Sequence, residues 1–157
     1  MKIIIGSDPL GISTKDAVKE YLLDSGYTVT DISGDNGIDY YNVGYLVGKA
    51  ISNKEYDRGF IFCGTGMGVN IVCNKFPGVY CGLVESIKAA QLCRTINNCN
   101  VLSIGGLFNA PYKAKQMAKE FLETEFTVGF NEIDVNPEFL KASLNKIKQM
   151  EKELFKL

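Results

Sequence analysis

The stretch Arg58-Gly59-Phe60-Ile61-Phe62-Cys63-Gly64-Thr65-Gly66-Met67-Gly68 decides the reading of the whole chain. Its first half is short and almost wholly apolar, the pattern of a strand buried on both faces. Glycines at alternate positions then break the run, and residues 66–75 read as a helix. A buried strand that turns through glycines into a helix is half of a βα unit. The same alternation extends to both sides. Residues 2–6, 27–32, 79–84 and 101–104 read as further strands. Helical patterns cover 13–25, 41–53, 86–95 and 112–123, and a last one runs from about 137 to 155. Ser13 with Asp16 is placed to cap the first helix, and Gly26 to stop it.

Apolar strands with helices between them imply a parallel sheet covered on both faces. The expected fold is α/β, a single Rossmann-like three-layer α/β/α domain over residues 1–157. It has a five-stranded parallel sheet and an extra C-terminal helix. Residues 125–136 form a hinge before that helix, and a terminal helix after a hinge often packs on a partner subunit. A homodimer or tetramer is therefore expected.

Composition narrows the chemistry. Hydrophobic residues at 46% and charged residues at 22% are ordinary for a soluble domain, and the net charge is −1. No Lys/Arg stripe with interleaved aromatics marks a nucleic-acid surface. No apolar stretch reaches the roughly 18 residues of a membrane span. The strand-like Ile3-Ile4-Ile5 opening does not read as a signal peptide, so the cytosol is the expected compartment. The five cysteines are odd in number and form no C-x-x-C pair, which argues against a disulfide framework or a zinc site. Cys73, Cys81, Cys93 and Cys99 read as small core hydrophobes. Histidine is absent. Proton transfer must then fall to Cys, Asp, Glu, Lys or Tyr, with no metal and no cofactor expected.

In an open parallel sheet, ligands bind outside the carboxyl ends of the strands. There the loop from Cys63 to Gly68 offers backbone N–H groups and the Thr65 hydroxyl at a helix start, an arrangement suited to an anion. A cysteine beside such a helix start ionises more readily than a free one. A base next to an anion hole is what enolisation needs: one removes a proton beside a carbonyl, the other holds the oxygen that turns negative. Read alone, the loop equally fits a buried structural cysteine before an ordinary turn. It lacks the lysine of a nucleotide phosphate loop, and no dinucleotide fingerprint follows the first strand.

The chain resembles the family of ribose-5-phosphate isomerase B and the galactose-6-phosphate isomerase subunits. The resemblance is carried by Met1 to Asp8, Asp39-Tyr40, Cys63 to Gly68, Asn74 to Gly78, Ala90 to Arg94, Asn97 and Asn100 to Leu102. It implies an aldose–ketose isomerase of a small sugar phosphate. Cys63 would be the enolisation base, and Thr65 with the amides of Gly64, Gly66, Met67 and Gly68 would hold the enediolate. Asp8 and Tyr40 would contact the sugar, and Asn97 would reach the site from a neighbouring subunit. Taken by themselves, Asp8 also fits a loop cap, Tyr40 a packing aromatic and Asn97 a helix stop.

The departures from that family are chemical. Pro9 and Ile96 stand where members carry histidines, the second of them the ring-opening one. Phe130 and Asp134 stand where they carry phosphate-gripping arginines. The chain has only two arginines, Arg58 and Arg94. Three explanations follow: an acyclic substrate such as a tetrose phosphate, a hetero-oligomer that divides its catalytic groups between subunits, or an anion site supplied by Arg94 or nearby lysines. A homologue that binds sugar phosphate without catalysis is a further reading.

Overall fold

The computed structural model describes residues 1–129 and 136–156. Five strands, β1 (Lys2–Ser7), β2 (Thr28–Asp31), β3 (Arg58–Cys63), β4 (Cys81–Leu83) and β5 (Val101–Gly105), form one parallel sheet in the order β2-β1-β3-β5-β4. Helices α1 (Ile12–Asp24), α2 (Tyr40–Ser52), α3 (Met67–Cys73), α4 (Ile87–Thr95), α5 (Pro111–Glu123) and α6 (Pro137–Phe155) connect and follow them.

Strand alternation builds two cores. Ile3, Ile5, Phe60, Phe62, Leu102 and Ile104 point to the face covered by α1, α4 and α5, where the Phe60 and Phe121 rings meet edge to face at 5.5 Å. Ile4, Ile61, Cys63 and Val101 point to the other face, under α2 and α3. Both faces being covered explains the nearly continuous apolar strands. The three-layer architecture and the C-terminal helix are thus as expected. The edge strand β4 is only three residues long and partly exposed, shorter than its apolar run implies. The cysteines are free, and those outside the loop pack as core residues or, for Cys81, half-buried beside the core.

The start of α1 differs from expectation. The chain leaves β1 through a 3₁₀ turn, Pro9–Gly11, and α1 begins at Ile12 with no side-chain cap from Ser13 or Asp16. Asp8 caps the turn instead, because the sheet ends there and its carboxylate faces the turn's free amides. Gly26 does stop the helix, at a φ of +81°.

A fully buried lysine ties this region together. Lys15 Nζ donates to Asp31 Oδ2 (2.8 Å) and to the Gly34 carbonyl (2.6 Å). Lys19 reaches the same carboxylate oxygen at 2.8 Å, while Asp31 Oδ1 accepts from the Ser33 and Gly34 amides and the Ser33 hydroxyl. Ser33 Oγ in turn accepts the Ser7 amide at 3.0 Å, joining the network to the end of β1. Burial disfavours the ionised Asp31, but the two ammonium groups and the amides outweigh it and hold its carboxyl well below the usual carboxylate range. A depressed carboxylate pKa adds stability above the unfolded value, about pH 4, that is lost as pH falls through the folded value. Urea midpoints of the native chain should therefore drop on acidification below about pH 4, and Asp31→Asn should flatten that drop. Lys15→Met, which breaks the buried pair, should cost about 3 kcal/mol and lower the thermal midpoint by about 6–12 °C.

Candidate active site

Strand order reverses between β1 and β3, since β2 lies outside β1 on one side and the rest of the sheet on the other. The crevice at their carboxyl ends is where such folds take ligands. Ser7-Asp8 leaves β1 at that point, and Cys63 ends β3 beside it.

Cys63 is 4% exposed, and its Sγ accepts the Gly66 amide at 3.0 Å. That bond aims the positive end of an N–H dipole at the sulfur. The loop is held from below. Gly106 and Leu107 amides donate to the carbonyls of Cys63 and Gly64, both at 2.9 Å, and the buried Ser103 hydroxyl donates to the Gly66 carbonyl at 2.6 Å. Gly66 has a φ of +76°, and a Cβ there would lie 2.6 Å from Leu83 Cδ1 and 2.9 Å from the Gly105 nitrogen. Both the left-handed backbone and the close approach require glycine. Gly66→Ala should destabilise the chain by about 2–3 kcal/mol by denaturant unfolding. Its activity should fall further than the unfolded fraction explains, because the amide on Cys63 moves with the residue.

Not all of the loop amides are bare. The Met67 amide donates to Thr65 Oγ1 at 3.2 Å, and the Gly66 amide serves the sulfur. The Gly64 and Thr65 amides have no acceptor among the described residues. With only seven residues, α3 has a modest dipole, so individual amides carry the electrostatics.

Asp8 Oδ1 accepts the Leu10 and Gly11 amides at 2.9 and 3.1 Å, so the residue is the cap that one reading anticipated. Its Oδ2 has no hydrogen bond among the described residues and remains available. Tyr40 opens α2 and lays its ring against Gly68, where a Cβ would come within 2.7 Å of a ring carbon. Tyr40 thus stands at the same crevice as Cys63, Thr65 and Asp8, half exposed.

Asn97 does not join them within one chain. It is exposed on the turn that leads into the amino end of β5, whereas Cys63 pairs with Gly105 at the carboxyl end. Ile96 shares that distant turn. Arg94 is there too, 6% exposed, with Nη1 donating to Asn98 Oδ1 (2.8 Å) and the Cys99 carbonyl (2.7 Å). Arg94 thus folds the α4–β5 turn, at the end of the sheet opposite the catalytic loop of its own chain. Phe130 and Asp134 lie outside the described residues. Sequence reading missed the Lys15–Asp31–Ser33 network that fixes the loops carrying Asp8 and Tyr40. A signal existed, since Lys15 falls beside Thr14, Val18 and Leu22 on the buried stripe of α1.

Apolar side chains surround the loop. Leu10 and Leu107 are each 64% exposed, Phe108 55% and Met67 47%. Among the described residues no group of three or more His, Cys, Asp or Glu is placed to hold a metal ion, and no helix is long and apolar enough to cross a membrane.

The parallel α/β fold is shared with known sugar isomerases. The fold matches ribose-5-phosphate isomerase B of Clostridium thermocellum with a TM-score of 0.86 at 31% identity, covering 98% of this chain and 99% of that one. The 4-deoxy-4-sulfo-D-erythrose isomerase of a Clostridium species is 38% identical over 99% of both chains. The D-erythrulose-4-phosphate isomerase of Pectobacterium atrosepticum is 36% identical over 82% of this chain and 87% of its own. Residues 3–136 match the family model described as ribose/galactose isomerase. The chain belongs to that family and is an aldose–ketose isomerase.

Proposed function

We propose that the protein interconverts the aldose and ketose forms of an acyclic four-carbon sugar bearing a phosphate or sulfonate at C4, with Cys63 as the base. The Cys63 thiolate takes the C2 proton of the aldose as the C1 carbonyl electrons move onto oxygen. Return of the proton to C1, with the C2 hydroxyl proton passing to O1, yields the ketose. The free amides of Gly64 and Thr65 and the Thr65 hydroxyl hold the enediolate oxygens, and Asp8 and Tyr40 orient the carbon chain.

The observation that carries this reading is the Gly66 amide on the Cys63 sulfur at 3.0 Å, at the strand-order switch point. The substrate class rests on Pro9 and Ile96. A furanose must be opened by a proton donor, and neither residue can donate a side-chain proton. A tetrose whose C4 oxygen is esterified, or replaced by sulfonate, has no hydroxyl left to close a five-membered ring. The two relatives named for four-carbon substrates agree with that chemistry.

A second copy of the chain completes the site. The apolar rim of Leu10, Met67, Leu107 and Phe108 is suited to an interface, and α6 leaves Phe139, Ile147, Met150 and Leu154 exposed for the same purpose. Asn97, remote from its own loop, would enter from that copy. The purified protein alone should convert 4-deoxy-4-sulfo-erythrose or erythrose 4-phosphate to the corresponding erythrulose, followed by NMR. No conversion of either sugar would overturn the four-carbon assignment.

A further inference from the structure

Both arginines of the chain lie at the amino end of the sheet, the end opposite the catalytic loop. There Arg58, at the start of β3, and Arg94 line one cleft of about 670 Å³. Lys54, Lys148 and Lys152 line it as well, the last two from α6, and Glu151 is the one carboxylate on its walls. That carboxylate is engaged, since Oε1 accepts the Gly78 amide (2.7 Å) and Oε2 the Tyr80 hydroxyl (3.3 Å). Neither arginine has an ion-pair partner among the described residues. Arg58 Nη1 donates only to the Asp57 carbonyl, and Arg94 uses Nε and Nη1 on Thr124, Asn98 and Cys99. Nη2 of each guanidinium has no acceptor among the described residues.

Two partly desolvated guanidiniums sharing a cleft repel each other. Burial eases proton loss from Arg94, and the charge of Arg58 adds to that effect. A chain of net charge −1 thus gathers five cations against one occupied carboxylate. An oxyanion would relieve the repulsion and accept the two idle Nη2 groups, and guanidinium forks suit phosphate and sulfonate oxygens. The cleft is larger than an inorganic oxyanion needs, and Pro77 and Tyr80 give it a wall for a carbon skeleton.

We propose that this cleft binds the phosphate or sulfonate group of a small organic anion, at a site separate from the catalytic loop. The inference does not depend on the chemistry assigned to Cys63. The test is titration of the full chain with inorganic phosphate at constant ionic strength, followed by amide chemical shifts. Saturable shifts are expected at Gly78, Tyr80 and Lys152, with the same affinity in Cys63→Ala. Arg58→Gln and Lys152→Gln should each weaken the affinity about tenfold, with Lys148→Gln as a further charge removal on the exposed face of α6. No saturable shift, shifts confined to residues 64–68, or unchanged affinity in all three charge-removed variants would overturn the proposal. A parallel titration of Cys63→Ala with the four-carbon sugar separates the sources of the anion. Shifts at Gly78, Tyr80 and Lys152 as well as at the loop assign the cleft to the enzyme's own sugar, and shifts at the loop without them assign it to a different phosphorylated or sulfonated compound; the site stands in either case.

Discussion

Replacing Cys63 with serine is expected to lower kcat by about 10²–10⁴-fold, the contribution of a positioned general base, with KM changed far less. Serine nearly matches the size of cysteine, and its hydroxyl can accept the Gly66 amide as the sulfur does. The fold should therefore survive, with far-UV circular dichroism and the thermal midpoint near native. What is lost is the base, because a serine hydroxyl is a far weaker acid than a thiol and does not supply the anion that takes the proton. The ratio of kcat to KM effects separates this from a packing role. A cysteine that merely filled the core under α3 would, when changed, lower the thermal midpoint and leave the rate per folded molecule intact.

The second large effect concerns substrate size. Ribose 5-phosphate should be turned over at least about 10²-fold more slowly than an acyclic four-carbon sugar with its anion at C4. Five carbons allow a furanose, whose opening needs an acid to protonate the ring oxygen as the bond breaks. The residues that could face it, Pro9 in the 3₁₀ turn and Ile96 on the α4–β5 turn, have no such proton. The four-carbon sugars present a free carbonyl and meet no such barrier. Comparable kcat/KM values for the two substrates in a coupled assay would contradict the acyclic assignment.

Much of the fold was legible in the sequence because strand and helix patterns agreed with glycine punctuation at Gly26, in the Cys63–Gly68 loop and at Gly105-Gly106. The buried runs of β1, β3 and β5 follow directly from apolar residues on both faces, and α6 begins at Pro137 as its proline indicates. The edge strand was overestimated, since an apolar run reports burial and not the number of residues that find a pairing partner. The entry to α1 was misread for a related reason. Ser13 has the right chemistry for a cap, but the tertiary path past Asp8 and Pro9 places the free amides one turn earlier. At the site, Cys63 ends β3, Asp8 and Thr65 follow strands and Tyr40 opens a helix, positions that the strand and helix boundaries read from sequence already indicate. Which amides are already bonded was not readable, for that depends on the local path of the backbone. Nor was the gathering of Arg58 and Arg94 into one cleft, since they lie 36 positions apart, one at the start of β3 and the other near the end of α4.

The central claim is that the sulfur of Cys63 carries the proton between C2 and C1. The most direct measurement follows hydrogen at C2 of the four-carbon aldose by NMR in deuterated water. The native protein should exchange that position with solvent during turnover, and Cys63→Ser should abolish the exchange while still binding the sugar. Full exchange in the serine variant would contradict it.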